Sequence, residues 1–249
     1  MSDVVDLRAF YSSSLGMVAR RMVNHAIQTH WPSARGMTMV GLGYCTPYLG
    51  LFREDAERSL AFMPARQGVI HWPTARPSKA ALVEDDRLPL ADAAVDRVLI
   101  VHGLEVSNDV QALLGEVWRV LAAGGRVLAV VPNRRGLWAQ RDTTPFGQGR
   151  PYSSSQLTEL MRESSFTPVA WSQALWVPPV GKSLILGSAG AWERLGSALS
   201  LPFAGVHLVE ATKQVYKPAP IRRERAIQIF KPALRPSPAV RQAHRDGDG

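Results

Sequence analysis

Apolar and polar positions along this chain alternate between two periods. From residue 3 to 30, Leu7, Phe10, Tyr11, Leu15, Val18 and Met22 recur at steps of three and four, drawing one helical face. Gly16 is expected to divide this stretch into two helices, and Trp31-Pro32 to end it. Short apolar runs then predict strands at 37–40, 59–63, 79–83, 95–101 and 126–131. The run from Val95 to Val101 is apolar apart from Asp96 and Arg97, as in strands covered on both faces. A glycine turn at 41–43 leads toward a helix entered near Pro47 and expected to reach about Glu57. Val110, Leu113, Leu114, Val117 and Leu121 draw a second helical stripe, with Ser107 or Asn108 as its cap and Gly124-Gly125 as its left-handed stop. Ser153 and Gln156 form a capping box for a helix through Leu157, Leu160 and Met161. A strand near 169–177, a helix near 184–199 and a strand near 206–215 complete the pattern. Strand, helix and strand alternate, which predicts an α/β chain with a doubly wound, mostly parallel sheet.

Composition bounds this picture. The 249 residues suffice for one large α/β domain, and 46% hydrophobic with 20% charged residues suits a globular protein with a real core. No apolar run approaches the ~18 residues that cross a bilayer, and the N-terminus lacks a basic region followed by a greasy one. The expectation is a cytoplasmic protein. The single cysteine, Cys45, leaves no internal disulfide and no cysteine-based metal cage. The net charge of +8 is concentrated in the tail: from Lys213 onward there are nine basic residues against three acidic ones. Residues 217–249 are also rich in proline, so they read as a basic extension that is loose in the absence of a partner. Either it is a solvated tail, or it attracts a phosphate-rich partner or surface.

Candidate chemistry sits in the loops. Gly41-Leu42-Gly43 can bring backbone close to a nucleotide-like ligand, because glycine lacks a Cβ and tolerates positive φ. The ordinary alternative is a plain strand-to-helix turn. Glu84, Asp85 and Asp86 end the third predicted strand as an acidic cluster. His102 follows the fourth strand, where it either accepts a proton or shapes a pocket floor. Cys45 lies at a helix start, but a small buried thiol is the favoured reading. The segment 133–152 carries Arg134, Arg135, Arg141 and Arg150 with Trp138, Phe146 and Tyr152. That mixture suits an anionic or nucleic-acid ligand, a protein contact, or a lid.

In order along the chain, Gly41-Leu42-Gly43, the run Glu84-Asp85-Asp86-Arg87-Leu88-Pro89-Leu90, Val95-Asp96-Arg97-Val98, and the helix end from Glu116 to Leu128 resemble the class I S-adenosylmethionine-dependent methyltransferases of small-molecule type. The similarity covers residues 37–131. It implies a Rossmann-like sheet of seven strands, the last antiparallel, with S-adenosylmethionine over the carboxyl ends of the first strands. It further implies N-terminal helices over 1–35, a cofactor-binding core over 37–131, and closing elements over 132–216. Gly41, Leu42 and Gly43 would face the cofactor's methionine part, and Glu84, Asp85 or Asp86 its adenine. The acid that grips ribose in the family aligns with Met63, the usual acid before the glycine turn is Met39, and the third glycine is Cys45. Tyr11 would lie in a helix that folds over the cofactor as a lid, although its place on the apolar stripe equally suits plain core packing.

The function implied is methyl transfer to an unidentified acceptor, with His102 the candidate catalytic residue and no metal. The competing reading, motivated by Met39, Cys45 and Met63, is a methyltransferase-like chain without catalysis that serves as a binding or regulatory module. A nicotinamide-dinucleotide fold fits less well, because residue 46 is threonine where a third glycine belongs.

Overall fold

The computed structural model describes residues 3–181, 187–198 and 203–215. The basic tail, the possibility that Ile227 to Phe230 dock, and the start of the helix expected near residue 184 lie outside the described residues. Helices α1 (Val4–Ser12) and α2 (Ser14–His30) precede β1 (Thr38–Gly43), α3 (Thr46–Leu49), β2 (Arg58–Pro64), β3 (Ala80–Val83) and β4 (Val95–Val101). There follow α4 (Val110–Val120), β5 (Leu121–Pro132), α5 (Ser154–Glu163), β6 (Phe166–Ala174), α6 (Ala189–Ala198) and β7 (Val206–Lys213). The sheet has seven strands in the order β3-β2-β1-β4-β5-β7-β6. Pairings from β3 through β5 are parallel, and β7 runs antiparallel to both of its neighbours. The doubly wound sheet with its last strand reversed is therefore as expected.

Each face of the sheet carries its own apolar cluster. One joins α1, α2 and α3 to Met39, Met63, Leu99 and Leu128. The other joins α4 and α5 to Val40, Val98, Ile100 and Val127. Alternate residues of β1 and β4 thus serve opposite layers, which is why those strands read as unbroken apolar runs. Asp96 and Arg97 interrupt the run for structural reasons. The Asp96 carboxylate accepts the Thr38 amide at 2.9 Å, and the Arg97 guanidinium lies 5.9 Å from the Trp31 ring centre.

Several boundaries differ from the sequence pattern. The break between α1 and α2 falls at Ser13, whose extended backbone ends one helix and whose hydroxyl accepts the Gly16 amide to start the next. Gly16 is instead a close-packing residue, since a Cβ there would fall 1.9 Å from the Phe10 carbonyl oxygen. Helix α3 stops at Leu49 rather than near Glu57, because Leu51 and Phe52 hydrogen-bond three residues back, at 3.1 Å each, in successive turns. Asp109 caps α4 by accepting the Ala112 amide, which leaves the Ser107 hydroxyl to reach Asp85. Helix α4 ends at Val120, before Gly124; that glycine adopts φ 76° within the first residues of β5.

One buried carboxylate ties the helical layer to the sheet. Glu210 on β7 accepts from Trp31 Nε1 at 3.0 Å and Arg126 at 2.9 Å, and meets His30 Nδ1 at 3.4 Å. Burial alone would raise its pKa, but these donors outweigh burial and hold it below the usual glutamate value.

Gly43 is the tightest point of the sheet. It adopts φ 88°, and a Cβ there would lie 2.4 Å from the Val101 carbonyl oxygen. We expect Gly43→Ala to destabilise the protein by more than about 2 kcal/mol in urea denaturation, from left-handed strain plus this clash.

Candidate active site

The carboxyl ends of β1, β2, β3 and β4 meet at one edge of the sheet, the switch point where open α/β sheets bind ligands. Gly41 and Gly43 shape its floor. A Cβ on Gly41 would strike the Cys45 and Leu49 side chains at 2.6 and 2.7 Å, so α3 presses directly onto the end of β1. Leu42 is fully buried in the layer beneath. Cys45 is also fully buried, and its thiol donates to the carbonyls of Leu42 at 3.2 Å and Leu99 at 3.1 Å. Burial pushes its pKa well above the ordinary thiol value, which is the inert arrangement favoured from the sequence.

On one side of this floor, past β3, lies a cavity of about 260 Å³ lined by Ala65, Arg66, Glu84, Asp85, Asn108 and Asp109. Asp86 also borders it. Arg66 pairs with Asp85, and the Ser107 hydroxyl donates to the same carboxylate oxygen at 3.3 Å. Burial raises the Asp85 pKa, opposed by the Arg66 guanidinium and by Ser107.

On the other side, His102 occupies the left-handed region at φ 52°. Its Nε2 lies 2.7 Å from the Tyr11 hydroxyl, and the Tyr48 hydroxyl donates to that of Tyr11 at 2.7 Å. Its Nδ1 lies 3.1 Å from Glu105 Oε1. Because Tyr11 receives the Tyr48 proton, it donates its own to Nε2, and Nδ1–H then donates to Glu105. All four side chains are buried. Burial first, then Tyr48, raises the Tyr11 pKa well above the ordinary phenol value. Gln67 closes the group by donating to the His102 carbonyl at 2.9 Å, and its own carbonyl accepts the Val4 amide at 2.7 Å. The start of α1 is thereby bound to the turn after β2.

Four buried polar atoms along this edge have no protein hydrogen-bond partner: Arg66 Nε, Gln67 Oε1, Asp85 Oδ1 and Glu105 Oε2. Residues 66 and 67 are adjacent, 67 bonds to 102, 102 to 105, and 107 to 85. Arg66 and Asp85 line the acidic cavity, while Gln67 and Glu105 both bond to His102. Three of the unpaired atoms are acceptors, which suits a ligand rich in donors.

The sequence matches the family described as a methyltransferase domain over residues 35–129. Over 99 residues it is 32% identical to a demethylmenaquinone methyltransferase of Thermus thermophilus, covering 39% of this chain and 37% of that protein. The match thus spans little more than a third of that curated relative. Among solved structures, a SAM-dependent methyltransferase of Thermotoga maritima aligns with TM-score 0.59 at 18% identity, covering 85% of this chain and 95% of that one. A Burkholderia thailandensis 1,6-didemethyltoxoflavin-N1-methyltransferase, solved with S-adenosylhomocysteine, aligns with TM-score 0.51 at 17% identity, covering 81% and 78%. Residues 35–129 are thus similar to a methyltransferase domain.

The domain's expected site residues divide in two. Gly41, Gly43, Asp85 and His102 lie at the shared edge, with Glu84 and Asp86 bordering its acidic cavity. Met63 is fully buried with Met39 in the apolar cluster that includes α1 and α2. The aromatic side chains of the 133–152 loop also turn inward. Trp138 is fully buried and donates to the Val177 carbonyl at 2.7 Å, while Phe146 packs 4.8 Å from the His102 ring. Arg134, Arg135, Arg141 and Arg150 of that loop are exposed, and Tyr152 is half-buried. Arg66, Gln67, Tyr48 and Glu105 were not predicted. For Glu105 a signal existed in the i,i+3 spacing from His102 within an apolar stretch; for Gln67 there was none.

Two outcomes check this geometry. Cys45 should resist a thiol reagent in the native methyltransferase domain and react stoichiometrically once unfolded, as followed by mass spectrometry. Tyr11→Phe, which removes the hydroxyl between Tyr48 and His102, should cost about 1–3 kcal/mol in denaturant unfolding.

Proposed function

We propose that this protein transfers a methyl group from S-adenosylmethionine to an acceptor bound beside the same edge. The observation that carries this reading is the set of unpaired buried acceptors, Gln67 Oε1, Asp85 Oδ1 and Glu105 Oε2, at the edge where β1 and β4 end. Asp85, with Glu84 and Asp86 beside it, would accept from the nucleoside. When bound, the cofactor supplies an electrophilic methyl group on a sulfonium. The chain's residues therefore need only bind, orient and exclude water. Tyr11, Tyr44 and Phe146 supply the apolar walls; the Tyr11 and Tyr44 rings stack at 5.6 Å.

His102 is the residue through which an acceptor proton would leave. In the described arrangement both of its nitrogens are engaged, so it takes a proton either once Tyr11 has withdrawn or through the Tyr11 hydroxyl. This reading fits an acceptor with an acidic hydroxyl or amine better than one that must be deprotonated from carbon. An anionic acceptor drawn by the exposed Arg134, Arg135, Arg141 and Arg150 is consistent with the same charge pattern.

Isothermal calorimetry with S-adenosylhomocysteine tests the proposal. We expect a dissociation constant below about 100 μM for the native chain, and about tenfold to a hundredfold weaker binding for Asp85→Ala. Absence of binding at millimolar ligand would leave a methyltransferase fold without its cofactor and favour the binding-module reading.

A further inference from the structure

Glu105 is the anomaly of this edge. Its side chain is 1% exposed, one oxygen meets His102 Nδ1, and the other has no protein partner. Among the described residues no lysine or arginine pairs with it, whereas Asp85, another acid of this edge, has Arg66. A buried acid without a cation is costly unless a ligand supplies one. The residue is held in place at some expense. Its carbonyl accepts the Arg150 amide at 2.7 Å, and Gly149, at φ 86°, passes so close that a Cβ would lie 2.4 Å from that oxygen. The 141–152 loop therefore fixes the backbone from which this carboxyl group projects. Beside it, Gln67 is 3% exposed with Nε2 committed to the His102 carbonyl and Oε1 unpaired.

Resting on the cofactor reading above, we propose that Glu105, with Gln67 Oε1, is the grip on the amino group of the cofactor's methionine part. The two positions where the family carries acids, Met39 and Met63, are sealed into the apolar layer and accept nothing. The amino group is a cation with three donors, and the pair offers two unpaired acceptors and one uncompensated acid. A ribose diol would satisfy the acceptors but would leave the acid without a counter-charge, which is why the amino group is favoured. Recognition of this cofactor has then moved from the second strand to the segment after the fourth. His102 acts as the hinge between the two acceptors: its backbone carbonyl holds Gln67 and its ring holds Glu105.

The test compares S-adenosylhomocysteine with its analogue lacking the α-amino group, by calorimetry, on the native chain, Glu105→Gln and Gln67→Leu. The native chain should prefer the amino-bearing ligand by about tenfold to a hundredfold, and Glu105→Gln should abolish most of that preference while binding the desamino analogue nearly as before. Gln67→Leu should reduce the preference in part. Because each variant is compared with itself across two ligands, a general loss of folding cannot imitate the result; thermal unfolding of each variant checks this independently. An undiminished preference in Glu105→Gln, or no preference in the native chain, overturns the assignment and leaves the cofactor reading standing. Failure of the native chain to bind either ligand overturns the cofactor reading itself.

Discussion

Between the α-carbon of Gly43 and the Val101 carbonyl there is room for hydrogen and for nothing larger. That contact brings the end of β1 against the end of β4 and turns the chain out of the sheet at Tyr44, whose amide bonds to the same carbonyl at 2.8 Å. It also presents the His102 carbonyl to the glycine from the other side, within 2.9 Å of where a Cβ would be. His102 meets this constraint in a left-handed conformation unusual for a residue with a side chain. Its ring is thereby directed between Tyr11 and Glu105 rather than into the sheet. The polar network, the seating of α1 and the orientation of Glu105 all follow from one missing methyl group.

The middle of the sheet was legible from the sequence because strands such as β1 and β4 are covered on both faces, and such strands announce themselves as apolar runs. The seven strands, the reversed last one and the capping box at Ser153 were foreseen. Helix ends were less legible, for a common reason: the competing caps differ only in which side chain tertiary structure leaves available. Ser107 looked as good a cap as Asp109 until Asp85, 22 residues earlier, engaged its hydroxyl. Gly16 looked like a breaker, and is a contact surface for α1. The site was half legible. Gly41, Gly43, Asp85 and His102 carry local signals, whereas Gln67 matters only because it meets a carbonyl 35 residues away.

Met39 and Met63 show how a layer boundary can be redrawn. Both belong to the cluster of α1, α2 and α3, where side chains of this length fill gaps that a carboxylate would have left wet. The same substitution that extends the apolar layer removes polarity from the edge. Two residues downstream of Pro64, polarity returns as Arg66 and Gln67, and after β4 it returns as Glu105 and Ser107. The 141–152 loop braces Glu105 from outside through the Arg150 amide.

The strand made last among those described lies inside the sheet, between β5 and β6. A growing chain that has emerged only as far as residue 205 thus leaves β5 with an open edge and β6 without any strand partner. Antiparallel pairing at both sides must wait for residues 206–213, and until then each edge is a template for foreign strands. Synthesis of this chain accordingly has a vulnerable interval whose end is set by the arrival of β7, and any premature stop before it leaves a sticky, unfinished sheet.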